Sequence, residues 1–204
     1  MDRNATSRWE RGASNLAVAL FYASFVYRHL IAYRQAPRAS LVIIVVMEAL
    51  LAAIVVLRAP AERTSFSLRA WVTTLGGTLG PLLLRPVPGA RDVLAGDALQ
   101  VAGATLALLG VLSLNRSFGL LPAKRGIRSQ GLYRWVRHPL YGAYLILYLG
   151  YAASNPSLAN AAILAIATAC QVLRLLNEEA FLSQYEDYQR YRSATRWRLL
   201  PYVF

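Results

Sequence analysis

Six apolar runs, Leu16–Tyr33, Ala39–Leu57, Ala70–Leu84, Ala98–Leu114, Leu140–Ala153 and Leu158–Leu176, divide this chain and leave it few ways to fold. Inside a bilayer no water is present to bond the backbone N–H and C=O groups, so an apolar run must satisfy its own backbone, which an α-helix does. At about 1.5 Å per residue, a run such as Ala39–Leu57 covers about 28 Å, close to the thickness of a hydrocarbon core. The third and fifth runs are shorter and are expected to start in the interface or to lie against neighbouring helices. With 56% hydrophobic and 16% charged residues among 204, the chain falls in the membrane class. The expected fold is an all-α integral membrane protein forming one domain over residues 1–204. It would be a bundle of about six transmembrane helices with a C-terminal amphipathic helix. Residues 1–114 would be a scaffold of the first four helices, and residues 115–204 a loop, a helical hairpin and the amphipathic segment.

The net charge of +12 raises nucleic acid as a partner, but the basic residues lie between apolar runs, where a membrane surface accounts for them and nucleic acid is not expected. Arg3, Arg8 and Arg11 precede the first run; Arg58, Arg63 and Arg69 follow the second. Arg116, Lys124, Arg125, Arg128, Arg134 and Arg137 fill the connection Asn115–Pro139, and Arg190, Arg192, Arg196 and Arg198 follow the sixth run. The opposite side has Arg28, Arg34, Arg38, Arg85 and Arg91. The excess of positive charge on one side puts both termini and the Asn115–Pro139 connection in the cytoplasm. Lys124 is the single lysine, a usage typical of GC-rich genomes, so a bacterial inner membrane is the expected location. The polar start, Met1–Ser14, leads into an apolar run without a small-residue cleavage site, and no removable signal peptide is expected. Cys170 has no second cysteine with which to form a disulfide or a cysteine metal cluster, and its expected role is packing.

Several polar residues stand out against this apolar background. Arg28 and His29 end the first run, where snorkelling to the headgroups accounts for them. Glu48 lies in the middle of the second run, where an acid is costly and needs a partner or a cavity; a hydrogen-bonded structural carboxyl and a functional one are equal readings. Gly76 and Gly80 form a GxxxG pair that admits a close helix, leaving a dimer open, and Pro81 should kink or end its helix.

The connection Asn115–Pro139 is long and basic. Arg116 and Arg134 read as lipid-facing charge, whereas Arg125, Arg128 and Arg137 sit near Gly119, Gly126 and Gly131, as if the chain were shaped around something. Pro139 suits the first turn of a helix and holds His138 extended just outside it, beside the free N–H groups of a positive helix end, a place for a carboxylate or phosphate. Tyr141, Tyr144, Tyr148 and Tyr151 are spaced three, four and three apart and share one helix face. Their electron-rich rings suit a cation, with helix packing as the plainer alternative for Tyr144 and Tyr148. Ser154–Ser157 is short enough to be a tight turn, so the fifth and sixth helices form an antiparallel hairpin that returns Arg174 and Glu178, one helical turn apart, to His138, while Glu179 turns aside. Phe181, Leu182, Tyr185, Tyr188 and Tyr191 then recur at helical spacing among charges, as in an amphipathic helix on the membrane surface. The segment Arg196–Phe204 should tuck back against the bundle or the interface.

Gly131-Leu-Tyr133-Arg-Trp-Val-Arg137-His138-Pro139-Leu-Tyr141, followed after the hairpin by Arg174-x-x-x-Glu178-Glu179-x-x-Leu182 and Tyr188-x-x-Tyr191, resembles the isoprenylcysteine carboxyl methyltransferase family and its phospholipid methyltransferase relatives. The resemblance implies a membrane methyltransferase that uses S-adenosylmethionine and a lipid or lipid-linked acceptor, without a metal. By position it implies cofactor contacts from Arg125, Gly126, Ile127, Arg128, Tyr133, His138, Pro139, Leu140, Tyr141, Glu178 and Glu179. Arg174 and Glu178 would be catalytic, and Arg174, Tyr144 and Tyr148 would meet the acceptor. Membrane reductases of the sterol type are similar in the same region, which keeps an NADPH-dependent reductase as an alternative. A lipid-binding protein without activity is a third. S-adenosylmethionine itself fits the residues: tyrosine rings for its sulfonium, the helix start for its carboxylate.

Overall fold

A computed structural model of the protein describes residues 8–57, 63–64, 67–114, 123–124 and 126–204. The chain is mostly helical: α1 (Arg8–Gln35), α2 (Ala39–Leu57), α3 (Leu68–Leu79), α4 (Leu94–Leu114), α5 (Pro139–Ser154), α6 (Leu158–Leu182) and α7 (Glu186–Ala194). Two-residue strands, β1 (Arg63–Thr64) and β2 (Ala123–Lys124), pair antiparallel, tying the α2–α3 connection to the α4–α5 connection. The hydroxyl oxygens of Ser67 and Ser157 accept from Ala70 N and Asn160 N, and so cap α3 and α6 at their starts. Pro81 ends α3, and the chain continues as a 3₁₀ turn over Gly80–Leu83 because proline has no N–H to extend the α-helical ladder.

Helices α4 and α6 are long and apolar enough to cross a membrane, and only 28% of the apolar window of each is buried inside the protein. Leu112 and Ile166 point outward, as apolar residues facing lipid do. Among the described residues these are the two helices that meet both conditions, against an expectation of six. Helix α1 carries Arg28 and His29 within its length, α3 has 12 residues and α5 has 16.

Helix α4 packs along α5, and α3 along α6. Gly103 allows the first contact, since a Cβ there would strike the backbone of Leu147. The Gly76/Gly80 face is occupied within the chain: a Cβ on Gly76 would meet Cys170 Sγ, and one on Gly80 would meet Ala167. That face therefore serves α6, not a second copy. A polar ladder reinforces the pair, with Gln171 donating to Gly77 O at 3.2 Å, Arg174 to Thr78 at 3.0 Å and Asn177 to Thr73 at 3.3 Å.

His29 does not snorkel. It is buried, its Nδ1 lies 2.8 Å from Phe25 O and its Nε2 lies 2.8 Å from Tyr151 Oη. A carbonyl only accepts, so Nδ1 carries the hydrogen and Nε2 accepts from the phenol. At this end of the bundle Arg38 donates to Ser154 O at 3.1 Å and to Asn155 Oδ1 at 2.9 Å. It lies 3.9 Å from Asp92, which accepts from Ser40 Oγ at 2.5 Å. Asn160 clasps Arg85 through both backbone groups, at 3.0 and 2.9 Å. The tight α5–α6 turn is built into this knot, and it sends α6 back toward the start of α5.

Candidate active site

Gly131 has a φ of +59°, a conformation that glycine adopts without steric cost, and a Cβ there would collide with Ser113 of α4. It turns the chain into the 3₁₀ segment Gly131–Arg134, which buries Tyr133. From there Val136 bridges Trp197, while Arg137 N and His138 N each donate at 2.8 Å to the carbonyls of Trp197 and Arg198. The segment Arg196–Phe204 thus tucks back beside His138, as expected, in the manner of a parallel strand. Pro139 begins α5 with His138 at its cap.

Glu178 and Glu179 are adjacent and do different things. The buried carboxylate of Glu179 accepts from Arg137 Nε at 2.7 Å and Arg198 Nε at 2.8 Å, and lies 3.2 Å from His138 Nε2. Arg137 also donates to Thr195 O at 2.9 Å and Arg196 O at 2.7 Å, so one carboxylate fixes the start of α5, α6 and the C-terminal segment together. Glu178 faces the other way and accepts from Tyr141 Oη at 2.9 Å. The Arg174 guanidinium lies 5.4 Å from the centre of the Tyr141 ring, which is 5.6 Å from that of His138.

These groups border a cavity of about 120 Å³. Its lining includes Gly126, Ile127, Arg128, Tyr133, Arg137, His138, Leu140, Tyr141, Tyr144, Arg174, Glu178, Leu182, Tyr188 and Tyr191. Among the described residues, two of its phenols, on Tyr144 (8% exposed) and Tyr188 (2% exposed), have no hydrogen-bond partner. Native proteins seldom leave a buried hydroxyl orphaned, because the lost water costs about 1–3 kcal/mol. The Tyr191 phenol, by contrast, donates to Tyr133 O at 2.7 Å. Burial raises the phenols of Tyr133, Tyr188 and Tyr191 above their ordinary value, so each keeps its proton and stays a donor. Among the described residues no group of three or more His, Cys, Asp or Glu is placed to hold a metal ion.

Residues 92–188, which contain α4, the β2 strand, the start of α5, the whole hairpin and Glu178, match the phospholipid methyltransferase family. The match makes this segment similar to phospholipid methyltransferases and spans just under half of the chain. No curated protein matches the chain. The family transfers methyl groups, which favours the methyltransferase reading over the reductase, and the outward apolar faces of α4 and α6 fit a membrane protein.

Of the residues expected at the methyltransferase site, the cavity brings together Gly126, Ile127, Arg128, Tyr133, His138, Leu140, Tyr141, Tyr144, Arg174 and Glu178. Pro139 and Glu179 are close by but do not line it, and Glu179 holds the structure beneath. Tyr148 lies deeper and donates to Glu48 Oε1 at 2.6 Å, which gives that buried acid its partner. Arg125 lies outside the described residues, as does Arg116. Tyr188 and Tyr191 line the cavity where a membrane-surface helix was expected. The chain breaks at Ser183–Tyr185, and α7 turns its aromatic face onto Tyr133 and Leu182. Their three-residue spacing fixed which side of α7 they share, but not whether that side met lipid or protein.

Proposed function

We propose that this protein is an integral membrane methyltransferase that uses S-adenosylmethionine and a lipid or lipid-linked acceptor. Six helices would cross the membrane, with both termini and the cavity on the cytoplasmic side. One observation carries the reading: within the family-matched segment, a cavity gathers Glu178, Arg174 and His138 around two buried phenols that find no partner among the described residues. These residues fit the cofactor. His138, Arg128 and the first N–H groups of α5 suit its carboxylate, Glu178 its amine or hydroxyls, and the ring of Tyr141 its sulfonium. When bound, S-adenosylmethionine supplies an electrophilic methyl group whose carbon–sulfur bond breaks, with its electrons, toward sulfur as the acceptor's lone pair bonds to the carbon.

The protein's contribution is positioning. Arg174, steadied by Thr78, holds an anionic group of the acceptor, and the Tyr144 hydroxyl orients the nucleophile. Leu140 and the tyrosine rings keep water from competing, while the Glu179 cluster fixes the start of α5 and so the direction of its N–H groups. The test is to incubate detergent-purified protein with methyl-labelled S-adenosylmethionine and a total lipid extract, alongside thermal shifts with S-adenosylhomocysteine. Label should enter one lipid class and S-adenosylhomocysteine should raise the melting temperature. Neither effect, or stabilisation by NADPH alone, would end the proposal.

A further inference from the structure

We propose that the cavity wall made by α7 and the Gly131–Arg134 turn is the subsite for the cofactor's flat purine, and that the Tyr188 hydroxyl reads the edge of that base. This rests on the S-adenosylmethionine reading above and deepens it. The cavity has two chemically different halves. Arg128, His138, Arg174 and Glu178 come from the loop before α5, from the start of α5 and from α6, and they suit the charged amino-acid end of a ligand. The other half is an aromatic and aliphatic cluster of Tyr133, Leu182, Tyr188 and Tyr191, with Leu114 and Ile127 packed on it.

The rings of Tyr188 and Tyr191 meet edge to face with centres 6.0 Å apart, and Tyr191 is locked to Tyr133 O. This half therefore offers mostly apolar surface with phenols at its edge, and among the described residues the phenol of Tyr188, 2% exposed, is buried without a partner. A purine needs this combination: apolar contact for its faces and a hydrogen-bonding group at its edge. A lipid chain fits less well. It would leave the phenol unsatisfied, and the outer side of α7 exposes Glu186, Gln189, Arg190 and Arg192, which marks it as the water side. The arginine nearest in sequence to the site's charged half, Arg137, is already engaged by Glu179 and two carbonyls and does not supply the missing partner.

The test measures dissociation constants of the full-length, detergent-purified protein and its Tyr188→Phe variant. The ligands are S-adenosylhomocysteine and two analogues altered only in the base, one with hypoxanthine and one with 7-deazaadenine. Wild type should discriminate against at least one analogue. The variant should bind S-adenosylhomocysteine about 3- to 10-fold more weakly, as for one lost neutral hydrogen bond, and should no longer discriminate. Its melting temperature without ligand should not fall, because the hydroxyl has no partner among the described residues to lose. Unchanged affinity, an equal loss for all three ligands, or a lower melting temperature without ligand would overturn the assignment. If wild type binds none of the three, the cofactor reading itself fails, a result distinct from any failure of Tyr188.

Discussion

Ser154 and Asn155 at one end of α5, and His138 and Tyr141 at the other, both belong to polar clusters inside an otherwise apolar bundle, but the two clusters aim differently. At the Ser154 end the groups converge on one another: Arg38 on Ser154, Asn155 and Asp92, and Asn160 on the backbone of Arg85. At the His138 end Glu179 makes a similar knot, and beside it Glu178, Arg174, Tyr144 and Tyr188 face a cavity. Polarity that closes on itself holds helices in place. Polarity that faces a hole, with phenols left unpaired, is costly to the free protein and is recovered when a ligand enters.

Four substitutions test this contrast. The largest effect is expected from Glu179→Ala, which strands Arg137, His138 and part of Arg198 without their shared carboxylate. Stability should fall by about 3–5 kcal/mol, the range for breaking a buried ion pair, visible as a large drop in the melting temperature together with loss of cofactor binding. A wild-type melt would show that the hub is dispensable. Next, Glu178→Gln should leave the fold intact and cut kcat/KM about 30-fold, equivalent to about 2 kcal/mol for a hydrogen bond to a charged group. Should the melt collapse and the activity per folded molecule persist, the two glutamates would have to exchange roles.

Arg38→Ala, at the opposite end, should cost about 1–2 kcal/mol of stability while the folded fraction keeps its full rate of methyl transfer. A specific loss of rate would mean that the two ends are coupled. The smallest effect belongs to Tyr144→Phe: removal of an unpartnered hydroxyl should leave the melting temperature unchanged within error. Methyl transfer should slow about 3- to 10-fold, read from kcat at saturating cofactor. A destabilised variant would show that this phenol has a partner in the protein after all.

Much of the site could be read from the chain. The spacing of Pro139 after His138, the short Ser154–Ser157 turn and the one-turn separation of Arg174 and Glu178 were enough to bring these residues to one place, because helix periodicity and a tight hairpin are local constraints. The divergence of Glu178 and Glu179 follows from the same periodicity, which turns successive residues by about 100° around the axis. The pairing of Tyr148 with Glu48, of Tyr151 with His29 and of Thr78 with Arg174 could not be read. Each joins helices far apart in sequence, and nothing local fixes which helices become neighbours. The same holds for Gly76 and Gly80, whose small surface invites any helix and was met by α6.

The order of apolar and polar residues is enough to make the chain helical, apolar on its outer faces and polar around His138, because a backbone without water must bond to itself and charges must gather where they are solvated or paired. Tertiary structure alone decided which polar groups would be consumed by one another and which would be left facing a cavity. That depends on the packing of α3 on α6, on the fold of Arg196–Phe204 beside His138 and on the inward turn of α7. Identical residue types, two adjacent glutamates or four tyrosines on one face, became scaffold or site according to what the rest of the fold placed opposite them.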